Sequence, residues 1–157
     1  MIKPIVSNIK ELRKPCVPVE PKEDIKEIIQ DLKDTLATKK GYALSANQIG
    51  INKCICYIKV PKSVDKKTKE ITYEEIVAIN PVIVEKSRKV ISKDEGCLSF
   101  PGIRINTDRY IFSIVIYEDE KREKHTVLAQ DLQSIVWQHE IAHLKGRTIF
   151  DDKHKSR

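Results

Sequence analysis

The chain has 157 residues, of which 33% are charged and 40% hydrophobic, and its formal net charge is +6. This length predicts one domain, 1–157, and the balance argues against a disordered tail. No apolar run approaches the roughly 18 residues of a spanning helix. The N-terminus MIKPIVSNIK carries no secretory or transit pattern, so the expected compartment is the cytosol, with no membrane partner. Basic side chains number 15 in residues 1–80 and 14 in 81–157, against 11 and 12 acidic ones. The excess is spread out, so no nucleic-acid partner is expected. Glycine is scarce at 5 residues, where average usage gives about 11. Neither GxGxxG nor GxxxxGK(S/T) occurs, which removes a phosphate-cradling loop.

Along the chain, Pro21 opens a helical pattern. Ile25, Ile28, Ile29, Leu32 and Leu36 form one stripe, and Lys39, Lys40 and Gly41 are stop signals. Ile51–Val60 reads as a strand closed by Pro61, and Ile71–Ile79 as a second, broken by Asn80-Pro81. Val82–Val84 and Val90–Ile91 suggest a hairpin. Tyr110–Tyr117 is a β-branched run, followed by a turn and the strand Arg122–Val127. A second helix is expected near Leu128–Leu144. Its residues Leu128, Leu132, Ile135, Val136, His139 and His143 share one face at helical period. Helix, strands, then helix makes the expected class α+β.

That last helix contains His139-Glu140-Ile141-Ala142-His143, an HExxH motif. One turn separates the imidazoles, so both can bind one metal ion, and Glu140 can act as a base on a water at that ion. A third ligand is needed. The residues after His143 contain Asp151 and Asp152 but no Glu, and HExxHxxGxxH fails because residue 149 is Ile. Cys54 and Cys56 alternate on a strand and read as small hydrophobes, and Cys16 lies among prolines. Cys97 differs, because it sits in Glu95-Gly96-Cys97-Leu98-Ser99 with Gly102 close behind. Glycines on both sides allow sharp turns near an ion. One thiolate and two imidazoles leave a fourth position open, as catalytic sites do. A third segment, Gly41–Gly50, is rich in small residues and offers the Gln48 carboxamide.

Together the three segments resemble the peptide deformylases, whose motifs are GxGLAAxQ, EGCLS and HExxH in that order. The second is matched in full, the third as HExxH, and the first at Gly41, Leu44, Ala46 and Gln48. Leu12-Arg13-Lys14, Pro18-Val19-Glu20, Ile79-Asn80-Pro81 and Phe100-Pro101 agree as well. The resemblance implies antiparallel sheets packed around a central helix that carries HExxH. It implies hydrolysis of the N-formyl group from the initiator methionine of new polypeptides, releasing formate.

It further implies one divalent metal on Cys97, His139 and His143. Iron(II) is the expected native ion, with zinc, nickel or cobalt as substitutes. Glu140 would be the base, and Gln48 with the Leu98 N–H would stabilise the oxyanion. Gly41, Tyr42, Ala43, Leu44, Arg104, Leu132, Ile135 and Val136 would line the substrate cleft, and the Glu95–Arg109 pair would brace the cysteine loop. Four positions depart from the pattern. Ala43 replaces a glycine, at about 1 kcal/mol if the backbone there needs positive φ. Ser45 replaces an alanine and adds a hydroxyl that must find a partner. Tyr42 is larger than the usual aliphatic residue. Ala142 stands where many members have Asp, removing a contact behind the ligands.

The chain stops soon after Phe150, where bacterial members continue into a basic helix. That predicts weaker ribosome contact and resembles the short bacteriophage forms. A peptide-bond metalloprotease, a module with a structural metal and an RNA-binding protein are the rival readings. Cys97 argues against the first, and Glu140 with Gln48 against the second. The third lacks a motif.

Overall fold

The computed structural model describes residues 1–155. Ser156 and Arg157, the end of the basic C-terminal tail, lie outside the described residues. A short helix, α1 (Ile9–Leu12), is capped by Asn8, whose side-chain oxygen accepts from the Lys10 and Glu11 N–H groups. The predicted first long helix is α2 (Lys26–Ala37) and starts later than Pro21. Pro21 and Lys22 form a turn instead, and Glu23 ties this segment down by pairing with Lys53 at 2.9 Å. At the far end, the Thr38 hydroxyl donates to the Thr35 carbonyl at 2.7 Å, so Thr38 rather than Gly41 closes the helix. The predicted stripe is present: Ile25, Ile29, Leu32 and Leu36 are buried, with Ile28 packed beside them.

Five antiparallel strands form the main sheet, in the order β1 (Ala43–Ser45), β2 (Ile55–Val64), β3 (Ile71–Lys86), β6 (Phe112–Glu118) and β7 (Lys124–Gln130). Two of them run through residues expected to stop them. β2 continues past Pro61 and β3 past Asn80-Pro81, each with a shift of register there. A bulge absorbs the missing proline N–H, so the strand bends instead of ending. At the second bend Asn80 takes a φ of 50°. Its carboxamide pairs with the Val19 backbone at 2.9 and 3.1 Å.

The expected hairpin of Val82–Val84 with Val90–Ile91 does not form. Val82 to Lys86 pairs with β6, whereas β4 (Lys89–Glu95) pairs with β5 (Ile105–Tyr110) in a separate two-stranded sheet. The run Tyr110–Tyr117 is divided at Ile111 between β5 and β6. There the Gln138 side chain accepts from the Tyr110 N–H (2.7 Å) and donates to its C=O (2.8 Å).

Strand alternation sorts the core into two faces. Ile55, Tyr57, Val77 and Ile79 pack with α2. Cys56, Ile58, Ile76 and Ala78 pack with α3 (Asp131–Leu144), the helix that carries HExxH. Leu128 is not in that helix. It pairs with Ile114 in β7 and is exposed. Trp137 is fully buried on α3, its ring 5.2 Å from that of Tyr117. No helix among the described residues is long and apolar enough to cross a membrane.

Candidate active site

Three elements converge at the inner side of α3. The 3₁₀ turn Ala46–Ile49 follows β1 and carries Gln48. Cys97 lies just beyond β4, and α3 supplies His139, Glu140 and His143. Cys97 Sγ is 3.3 Å from His143 Nε2, which is 3.1 Å from His139 Nε2. All three atoms lie within 4.8 Å of one another. A thiol sulfur and two imidazole nitrogens aimed at one point suit a zinc- or iron-like cation.

Two buried polar atoms beside the cluster lack a partner, and the first of them supports that fit. Glu140 Oε2 and His143 Nδ1 are buried without a protein partner. Such atoms are rare unless a water or ion meets them. Ala142 has no side-chain group to offer His143. Burial pushes the Glu140 carboxyl up to about 7. Burial, then the neighbouring His139, holds His143 neutral well below its ordinary value. Burial also opposes charge on His139, but hydrogen bonds with Cys97 and Glu95 outweigh it and bring His139 to about 10. A cation bound at Nε2 takes the place of that proton.

Behind the donors lies an ion-pair network. Glu95 Oε1 accepts from His139 Nδ1 at 2.8 Å and from Arg109 Nη2 at 2.5 Å. Its Oε2 accepts from Thr107 Oγ1 at 2.6 Å and Arg109 Nε at 3.1 Å. Burial acts to raise the Glu95 carboxyl, but His139 and then Arg109 hold it well below the usual carboxylate range. Arg109 is itself buried, and its second partner is Asp152 at 2.8 Å. Asp152, one of the two acids considered after His143, thus pairs with the brace.

On the other side, Gln48 Nε2 lies 3.1 Å from Ser99 Oγ and 3.6 Å from Cys97 Sγ. The expected strain at Ala43 is absent, because Ala43 sits in β1 opposite Ile58 and not at positive φ. Gly96 likewise has no positive φ, so it does not supply the predicted sharp turn. It leaves room instead, since a Cβ there would sit 2.5 Å from Arg104 Nη1. A Cβ on Gly41 would meet the Leu98 side chain at 3.0 Å, so the first and second motifs touch.

Ala43 and Leu44 are buried in β1, while Tyr42, Leu132 and Arg104 are exposed. Ile135 is half-buried, and Val136 packs into the core with Trp137 and Ile141. Sequence reasoning missed Asn47, Ser99, Thr107 and the role of Asp152. Asn47 and Ser99 lie inside the segments already singled out. Thr107 and Asp152 gave no signal, because their partners are brought to them only by the β4–β5 pairing and the chain's return after α3. A second group, Asp119, Glu123 and His125, clusters at the β6–β7 turn, where His125 bonds Asp119 at 2.7 Å.

The chain matches a family model described as polypeptide deformylase over residues 2–157. A peptide deformylase of Aquifex aeolicus is 35% identical over 141 residues, covering 89% of this chain and 80% of the relative. Peptide deformylase 1 of Nostoc sp. is 33% identical over 141 residues, covering 89% and 72%. The crystal structure of peptide deformylase from Thermotoga maritima superposes with a TM-score of 0.83 at 28% identity, covering 99% of each chain.

Proposed function

Because the chain belongs to the polypeptide deformylase family, we propose that the cluster on α3 and the cysteine loop is where it works. The chain is a hydrolase that removes the N-formyl group from formylmethionine at the start of new polypeptides, releasing formate. The observation that carries the assignment is the convergence of Cys97 Sγ, His139 Nε2 and His143 Nε2, with the unpartnered Oε2 of Glu140 on the same helix.

Cys97, His139 and His143 would hold one divalent metal, iron(II) in the native enzyme. Bound there, the metal would supply Lewis-acid polarisation of a water and of the formyl oxygen. Glu140, buried and poised near neutrality, takes a proton from the attacking water and passes it to the amine nitrogen as the C–N bond breaks. Gln48 Nε2 and the Leu98 N–H donate to the oxyanion that forms at the formyl carbon. Glu95 orients His139, and Arg109 keeps Glu95 ionised. The exposed Tyr42 and Leu132 and the half-buried Ile135 would supply the apolar wall for the methionine side chain, and Arg104 would flank the cleft.

The test is formate release from formyl-Met-Ala-Ser by anaerobically prepared, metal-loaded protein, with the metal measured. Turnover of the formylated peptide with no cleavage of its unformylated form is expected. No formate release, or cleavage of the peptide bond, would overturn the reading.

A further inference from the structure

Ser45, the hydroxyl that the family pattern does not call for, has a specific partner. Its Oγ lies 2.9 Å from Gln48 Oε1 and 2.6 Å from Asn47 Oδ1. Resting on the deformylase reading above, we propose that Ser45 is a positioning residue for Gln48. Its one hydroxyl proton, shared between the two amide oxygens, holds the Gln48 amino group toward Cys97 and Ser99.

Chemistry fixes the orientations. The Ser45 backbone N–H points at Gln48 Oε1 at 3.0 Å. A backbone N–H only donates, so the atom facing it must be the amide oxygen. The amino group is thereby turned to Ser99 Oγ at 3.1 Å and Cys97 Sγ at 3.6 Å. Asn47 is fixed by the same logic, since its Nδ2 donates to the His143 carbonyl at 2.8 Å and its oxygen must face Ser45. Ser45 therefore links the carboxamide of Gln48, through Asn47, to the backbone of a ligand residue on α3.

All members of this chain are buried, with Ser45 0%, Gln48 1% and Asn47 8% exposed. Away from water such bonds strengthen, and a missing one is not replaced by solvent. Without the hydroxyl, Asn47 Oδ1 loses its donor among the described residues. Gln48 Oε1 keeps only the Ser45 N–H, and its amino group can swing from the position where the oxyanion develops. The loss falls on the transition state and not on peptide binding.

The experiment compares wild type, Ser45→Ala, Ser45→Cys, Gln48→Ala and the Ser45→Ala/Gln48→Ala double variant. Kinetics are read on nickel-loaded protein with formyl-Met-Ala-Ser. Side-chain amide NMR is read on ¹⁵N-labelled zinc-loaded protein, with Gln48→Ala identifying the Gln48 resonances. Ser45→Ala is expected to lower kcat roughly 5- to 10-fold, the worth of about one hydrogen bond, with KM within twofold. Ser45→Cys, a weaker donor of similar shape, should fall between. The double variant should be no slower than Gln48→Ala alone. The Gln48 amino resonances should move toward free-carboxamide positions in Ser45→Ala. Wild-type kcat in Ser45→Ala, a further loss in the Gln48→Ala background, or unmoved Gln48 resonances would each overturn the proposal. If Ser45→Ala does not fold, Ser45→Cys decides by the same readouts. Absence of formate release by wild type would strike the deformylase reading alone, because the NMR arm still judges Ser45.

Discussion

Glu95 accepts the Nδ1–H of His139 at 2.8 Å while both of its oxygens hold Arg109. One carboxylate therefore fixes the rotation of His139 and ties the cysteine loop to β5. With Nδ1–H committed to Glu95, Nε2 is the ring nitrogen presented toward Cys97 and His143.

Glu95→Gln keeps the shape and removes the charge. Arg109 would then retain only Asp152 as an ionic partner. Breaking a buried pair from one side is expected to cost about 3–5 kcal/mol of stability, read by urea denaturation. Metal affinity should fall roughly 10- to 100-fold, since the group behind a ligand sets its orientation. Chelator competition measures that separately.

Glu140→Gln leaves the donor cluster untouched. Formate release should fall about 10²- to 10⁴-fold, the usual worth of a positioned base, while bound metal stays at the wild-type level. Parallel assay and metal analysis check both. Loss of the metal together with activity would move Glu140 from base to structural support.

Cys97→Ser exchanges a soft thiolate for a hydroxyl. The variant is expected to retain less than half of the wild-type metal after brief dialysis against a chelator. Its melting temperature should no longer rise when metal is added, because an ion that binds the native state at about 100 times Kd stabilises it by about 2.7 kcal/mol. The wild-type iron form should lose activity in air faster than the nickel form, because thiolates oxidise stepwise.

Trp137 anchors α3 through packing alone, for its Nε1 is buried without a protein partner. Trp137→Phe should cost less than about 1.5 kcal/mol, and Trp137→Ala about 3–5 kcal/mol. Chemical denaturation of the two variants tests the contrast.

Gly96 and Gly146 should respond differently to alanine. A Cβ on Gly96 meets the mobile end of Arg104, which can move aside. Gly146 has a φ of 78°, and a Cβ there would collide with the Arg13 carbonyl. Gly146→Ala is expected to cost more than about 2 kcal/mol, left-handed strain plus the clash. Gly96→Ala should cost under about 1 kcal/mol and instead raise KM for peptide by moving Arg104. Thermal melts and peptide kinetics separate the two.

The motif residues were legible because their chemistry is local. His139 and His143 are one helical turn apart wherever that helix lies, and Glu140 follows from the same spacing. The stripe on α2 was legible for the same reason. Strand ends were not. Pro61 and Asn80-Pro81 read as stops, yet β3 goes on pairing with β2 past Pro61, β6 takes up β3 past Pro81, and the chain bulges through. The hairpin expected around Glu85–Lys89 failed because β6 competed for Val82 to Lys86 and won. Those outcomes depend on partners that are distant in sequence, which no local pattern encodes.

Length, charge and scarce glycine bounded this protein from its sequence alone, and three short motifs named its chemistry and most of its candidate site. Tertiary structure decided where the remaining polar groups go. Asp152 reaches Arg109, Asn47 reaches the His143 carbonyl, and the Ser45 hydroxyl finds Gln48. The reason is burial: once folding excludes water from these groups, each must find its partner in whatever the fold brings within 3 Å or so.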